Sequence, residues 1–467
     1  MPTSRAADSA TPWLDHELRY LELGDARLVQ RFATLLADLV AHPTASIPHA
    51  CGTWAKTKAA YRFWSSPHVT PHAIRSAHVR TTLDRITPQA TILAIQDTTS
   101  LDFTHHPATR DLGPLTPSSQ QGLLVHSVLA ATSEGVPLGL LDQAVWARDP
   151  ATTGKKHQRR KRRTSDKESQ RWLTALSVTQ TRVPPDVQVI TIADREADIF
   201  DLFALPRPAH SHFLIRATHN RVVDHEAHLL WTSIRQTELG GTLMVDLRRG
   251  DDRPARQARL NLRWTTLVLQ PPRHRTDRAT LQPVPVQVLL AEEVDAPAGT
   301  PPIIWLLLTT LPLTTYAEAV QTVRWYTVRW LIERYHYVLK SGCHIEQLQL
   351  ETADRLECAL ATYCIVAWRL LWLTYQARQT PEVPCTVALT PTEWQALYAT
   401  HHQTTTLPAT PPTLGEAVRW IAQLGGFLGR RRDGDPGVKT IWRGFQRLHD
   451  IAATWSLLHP DAPAPDN

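Results

Sequence analysis

Three carboxylates stand where this sequence could do metal-assisted chemistry. Glu333 lies in the stretch Gln321 to Lys340, QTVRWYTVRWLIERYHYVLK, together with Tyr326, Arg329 and Lys340. Counted from Tyr326, the other three follow at intervals of three, seven and fourteen. At roughly 100° per residue, all four fall within an arc of about 60° on one helix face. Val328, Leu331, Ile332, Tyr335 and Leu339 supply apolar surface to dock that helix. The carboxylate suits a hard divalent metal and the cations suit phosphate. A plain salt-bridge stripe is the competing reading, because Arg329 and Glu333 are an i, i+4 pair.

The other two acids close apolar runs. Ala90 to Gln96 fits a strand buried on both faces and ends at Asp97, and Val187 to Ala193 does the same and ends at Asp194. Open α/β sheets place functional groups at the carboxyl ends of strands. Glu196 and Asp198 follow in what reads as a helix's first turn, where the dipole alone explains acidic residues, so they are not taken as ligands. Three carboxylates can hold two Mg²⁺ ions, with Mn²⁺ as a substitute. Two ions about 4 Å apart stabilise the attacking and leaving oxygens of an in-line displacement.

The spacing Y-x2-R-x3-E-x6-K resembles the signature helix of the insertion-sequence-four family of DDE transposases. IQDTTSLDF (95–103), LLVHSVL (123–129), DREADI (194–199), AEEV (291–294) and WLLLT (305–309) resemble family segments in the same order. LGDARL (23–28), AYRF (60–63) and LGGF (424–427) extend the likeness to both ends of the chain. The resemblance implies an α/β fold with a ribonuclease H-like catalytic core, a β-rich insertion and helical flanking domains. It implies the catalytic and metal-holding set Asp97, Asp194 and Glu333, with Tyr326, Arg329 and Lys340 gripping phosphates. It further implies that Arg216 contacts DNA and that Trp305 stacks on a base flipped out of the duplex. Arg27, Lys58 and Arg62 are the candidates for binding transposon-end DNA. The implied partners are double-stranded DNA, both transposon ends and target, and a second copy of the chain in the paired-end complex. The implied reaction is cut-and-paste transposition, through a hairpin on the transposon end and joining of 3′-hydroxyl ends to target. Two alternatives stay open: a ribonuclease H-like nuclease or resolvase that cuts without joining, and a non-catalytic DNA-end-binding inhibitor.

The elements that must position these residues follow from pattern. Residues 1–70 read as helical, with Leu28, Phe32, Leu35, Leu36 and Leu39 at helical spacing. KTKAAYRFW interleaves cations with aromatics, which suits a DNA backbone. Leu123 to Ala131 and Pro137 to Val145 flank SEG, a hairpin signal. Seven Lys or Arg lie between Lys155 and Arg163, a solvated loop or a DNA contact. Residues 71–378 read as the catalytic domain, with the β-rich insertion at about 205–314. Residues 379–467 read as helical, and the resemblance implies that they form a dimerisation domain. There Ile441, Phe445, Leu448, Ala452 and Trp455 form a seam suited to another helix, either a partner's or the chain's own.

Composition sets the outer limits. A chain of 467 residues suggests two or three domains. A net charge of +6 favours an anionic partner. Five cysteines without metal spacing argue for reduced thiols. No apolar run approaches 18 residues and nothing at the N-terminus reads as a secretion signal, so no membrane is expected. With the resemblance, this places the protein in the bacterial cytoplasm, at the nucleoid.

Overall fold

The computed structural model describes residues 12–116, 119–152, 164, 167–247, 255–273, 275–430 and 432–459. The basic run Lys155 to Arg163 and the last eight residues lie outside them. Five helices come first: α1 (Pro12–Leu18), α2 (Ala26–Ala41), α3 (Ile47–Cys51), α4 (Trp54–Trp64) and α5 (Pro71–Ile86). Asp25, Thr53 and Thr70 cap α2, α4 and α5 with their side chains, satisfying first-turn N–H groups that would otherwise lack partners. Phe32, Leu35, Leu36 and Leu39 are buried, as the spacing predicts.

Then come β1 (Thr91–Asp102), β2 (Gly113–Pro114), β3 (Gln121–Thr132), β4 (Pro137–Trp146), α6 (Gln170–Arg182), β5 (Gln188–Ala193), α7 (Phe200–Ala204) and β6 (Ser211–Arg216). The sheet runs β4-β3-β1-β5-β6, with β3 antiparallel to β1 and β4, and β5 parallel to both β1 and β6. This is the ribonuclease H-like arrangement. The insertion holds α8 (Leu230–Gln236), β7 (Gly241–Leu247), β8 (Arg256–Leu269), β9 (Val284–Val294) and β10 (Ile304–Thr309). Its described strands form no separate sheet. β10 pairs antiparallel with β6, so the one sheet continues as β10-β9-β8-β7.

The chain ends in helices: α9 (Tyr316–Thr327), α10 (Trp330–Tyr337), α11 (Ala353–Gln379), α12 (Pro391–His402), α13 (Leu414–Leu424) and α14 (Val438–Leu458). Among the described residues, α11 alone is long and apolar enough to cross a membrane, and 89% of that stretch is buried as core. It packs with α10 on the face of the sheet that carries Leu93, Ile95 and Ile192. On the opposite face Ala175 of α6 packs against Ile92, Ala94 and Val189.

The N-terminal helices are tied to this core by charge. Glu17 is fully buried and accepts from Arg85 Nη1 at 3.1 Å and from His78 Nδ1. His78 Nε2 accepts from the Leu140 N–H at 3.0 Å, which leaves Nδ1 as the donor to Glu17. Arg85 Nε donates to the Leu138 carbonyl at 2.6 Å, and its guanidinium lies over Trp368 at 4.1 Å. Burial alone would push the Glu17 carboxyl up, but His78 and Arg85 outweigh it and hold the group down at about 2.

The C-terminal seam packs on its own chain. Ile441, Phe445 and Leu448 are buried with Val418 and Ile421 of α13 and with Trp394 and Leu397 of α12. Gly444 allows this, since a Cβ there would meet the Ile421 carbonyl oxygen at 1.7 Å. Of the two seam readings, the intrachain one holds for these residues.

Candidate active site

The parallel register of β1 and β5 brings the two aspartates together. The last paired positions are Ile95 and Ile192, and two residues further along both strands stand Asp97 and Asp194. β5 stops at Ala193, whereas β1 continues to Asp102 on its hydrogen bonds to β3. Asp97 is therefore inside a strand and not at its end. The apolar run stops there because the parallel neighbour does. Asp194 leaves β5 and caps a tight turn, accepting from the Glu196 N–H at 2.8 Å. Asp198 is buried against Arg221 and accepts the Thr218 and His219 N–H groups at 2.8 and 2.7 Å, which is scaffolding.

Glu333 arrives from the side. Leu93 and Ile95 face Leu331, Ile332 and Tyr335 of α10, and strand alternation sets Asp97 on the same side. The electrostatics record the meeting. Burial pushes the Asp97 carboxyl up to about 7, with Asp194 adding and Glu333 contributing, against the Thr98 N–H and the Arg329 charge. On the far side of β1, Thr98 is held through its hydroxyl by His126 Nδ1 at 2.8 Å, and His126 Nε2 reaches Gln96 at 3.3 Å. That buried network steadies the strand segment carrying Asp97.

The signature helix is not one regular helix. Val328 and Arg329 bond back three residues, to Trp325 and Tyr326, and Leu331 and Ile332 do the same. That overwinds the chain between α9 and α10. After Tyr337 it underwinds into a π turn, Val338–Gly342, which seats Gly342 against Trp442, where a Cβ would come within 2.9 Å of the ring. The 60° arc assumed 100° throughout, and these departures divide it. Tyr326, Arg329 and Glu333 stay together: Arg329 Nη2 is 2.6 Å from Glu333 Oε1. Burial pushes the Tyr326 phenol up, with Arg329 and Arg216 opposing and Asp194 adding. Lys340 is drawn to Glu346, 3.4 Å away, which also accepts the Asp102 N–H at 2.9 Å.

Arg216 ends β6 and is half-buried, its Nη2 donating to the Ile304 carbonyl at 2.8 Å. Trp305 packs edge-on against Tyr326, with ring centroids 5.5 Å apart. The sequence reading overlooked Trp330, which is 51% exposed with the Arg329 guanidinium 5.3 Å from its ring. Its only signal was its place beside Arg329, and the assumed periodicity set it off the stripe. Arg27, Lys58 and Arg62 lie on exposed faces of α2 and α4, apart from the carboxylates, and Arg27 is paired with Asp25 at 3.2 Å.

Among the described residues, no three His, Cys, Asp or Glu side chains stand ready to hold an ion, and Glu333 is turned onto Arg329. The donor chemistry nonetheless fits a hard divalent cation. All three groups supply oxygen, and the burial that pushes up Asp97, with the neighbouring carboxylates adding to it, is what a bound cation would offset.

Three protein families match the chain. The transposase DNA-binding family covers residues 10–69, the transposase DDE domain 147–369 and the transposase Tn5 dimerisation domain 365–454. The chain belongs to the Tn5-like DDE transposases. The transposase therefore binds DNA, forms a homodimer and depends on divalent metal as a DNA phosphoryl transferase and endonuclease. The DDE match spans Asp194 and Glu333 but begins after Asp97, whose place here rests on the β1–β5 register.

Proposed function

We propose that the transposase works by cut-and-paste: it nicks DNA at the transposon end, frees the element through a hairpin, and joins the 3′-hydroxyl ends to target DNA. The observation that carries this reading is the convergence of Asp97, Asp194 and Glu333 from β1, the end of β5 and α10. These three would hold two Mg²⁺ ions, with Mn²⁺ able to substitute. Bound there, the ions supply positive charge to the attacking and leaving oxygens of the displaced phosphate.

The remaining residues grip and shape the DNA. Arg329 and Tyr326 bind phosphate beside the reacting bond, and Arg329, paired with Glu333 at 2.6 Å in the metal-free protein, would turn to phosphate where Glu333 holds metal. Lys340 holds a phosphate further along the strand. Arg216 and Trp305 receive the distorted end, the indole as a stacking platform for an unstacked base. Arg27, Lys58 and Arg62 bind the end's backbone. Residues 1–70, 71–378 and 379–467 act as end-binding, catalytic and dimerising parts, in the cytoplasm on the nucleoid.

Glu333→Gln tests the assignment on a labelled transposon end with Mg²⁺. The amide keeps the shape and removes the charge, so nicking falls at least about 100-fold, the equivalent of about 3 kcal/mol. End binding is retained. Near-normal nicking removes Glu333 from the site.

A further inference from the structure

On one side of Asp97 and Asp194 lie Arg216, Tyr326 and Trp305, toward β6 and β10. On the other side β1 runs on past the end of β5, and over Thr98–Asp102, among the described residues, only β3 pairs with it. The space left along that edge is a cleft of about 870 Å³. Its walls are the β1 edge from Thr98 to Ser100, the end of β4 with the start of α6, the 195–201 turn and the β8–β9 connection.

Ion pairs engage three of the acids in this lining. Arg148 takes Glu168 at 2.6 Å, Arg221 takes Asp198, and Arg275 takes Asp201 at 2.6 Å. Arg195, on the 195–201 turn, and Arg273, on the β8–β9 connection, are both exposed, and among the described residues neither has a carboxylate in ion-pair range. The Thr99 and Ser100 hydroxyls of the β1 edge add donors. Free guanidiniums over hydroxyls form a surface for a phosphate backbone, with no set that reads base edges.

In an in-line displacement the attacking and leaving oxygens lie on opposite sides of the phosphorus. A strand crossing the carboxylates must therefore continue away from the Arg216–Tyr326–Trp305 side. We propose that this cleft holds the target DNA strand during joining, with Arg273 and Arg195 on its phosphates. The proposal rests on the strand-transfer reading above and gives that step its binding surface.

The test uses full-length transposase on pre-cleaved ends with free 3′-hydroxyls, and supercoiled plasmid as target. Arg273→Glu should need several-fold more plasmid for half-maximal joining, and Arg273→Lys should restore the wild-type value. The log–log salt slope of joining should fall by about 0.9 for the lost phosphate contact. Binding to the pre-cleaved ends should be unchanged. An unchanged plasmid requirement overturns the cleft assignment, as does an equal loss of end binding. Wild-type protein that cuts ends but joins none overturns the strand-transfer reading, and the proposal falls with it.

Discussion

Arg329 and Glu333 hold each other at 2.6 Å, so one cation of the site occupies a carboxylate proposed to hold metal. The pair faces Asp97, whose proton Arg329 helps to dislodge and Glu333 helps to keep. On the proposed assignment Arg329 has two duties, as placeholder for metal and as grip for phosphate.

Arg329→Ala should separate them. A charge-assisted contact is worth about 1.5–3 kcal/mol, so its loss should slow hairpin formation by about 10- to 100-fold. First-strand nicking should fall less, because the grip matters when the end is distorted. Lys340→Ala should act in the same direction but more weakly, since Lys340 is drawn to Glu346. Time courses of nicked and hairpin products on a gel decide it, and equal effects on both steps contradict the clamp.

With Asp97 as a proposed metal ligand, metal binding should depend on pH. Its carboxyl is pushed up to about 7 in the fold, against an ordinary value near 3.8. Between those values the unfolded chain has lost a proton that the metal-free fold keeps, so stability falls as pH rises through the window. A metal held at Asp97 would replace that proton, so it should stabilise more above pH 7 than below it. Thermal melts with and without Mg²⁺ should show a larger rise at about pH 8 than at about pH 5.5. Asp97→Asn should raise the metal-free melting temperature at the higher pH and reduce the Mg²⁺ gain. An equal gain at both pH values contradicts the account.

Glu17 behaves in the opposite sense. Its carboxyl is held down at about 2, so the stability it contributes is present above the ordinary value near 4.5 and is lost as pH falls toward 2. Glu17→Gln leaves Arg85 buried without its counter-charge and should cost about 3 kcal/mol at neutral pH. The cost should shrink in acid, since the wild type loses the same charge there. A constant difference between the two unfolding curves from pH 7 to pH 3 rules out this role.

The three acids were legible because each closes or follows a hydrophobic pattern that physics forces on a buried strand or helix. What was not legible is set by partners elsewhere in the chain. Asp97 looked like a strand end, but the ladder to β3 carries β1 five residues further, and hydropathy does not record a hydrogen-bonding partner. The insertion's strands were visible as β-rich, whereas their joining to the catalytic sheet through β6 and β10 was not. Lys340 was placed with Glu333 on the assumption of constant helical pitch, and Gly342 packed against Trp442 shows where that pitch yields.

The dimer contact must be sought beyond the seam. Ile441, Phe445 and Leu448 are spent on α12 and α13, so charging them would damage the fold and report nothing about the partner. At the end of the same helix, Leu457 is 82% exposed and Leu458 71%, a pair of large apolar side chains in water on one turn. Such a pair costs little to change in the monomer and contributes most when a second surface covers it. Two leucines bury modest area, so DNA bridging the two subunits must supply much of the remaining interface. Leu457→Asp with Leu458→Asp should leave the unfolding curve and single-end binding unchanged. The paired-end complex should vanish from a native gel, and with it coupled cleavage of the two ends. A paired complex that forms normally with both charges in place would show that the end of α14 is not where the two subunits meet.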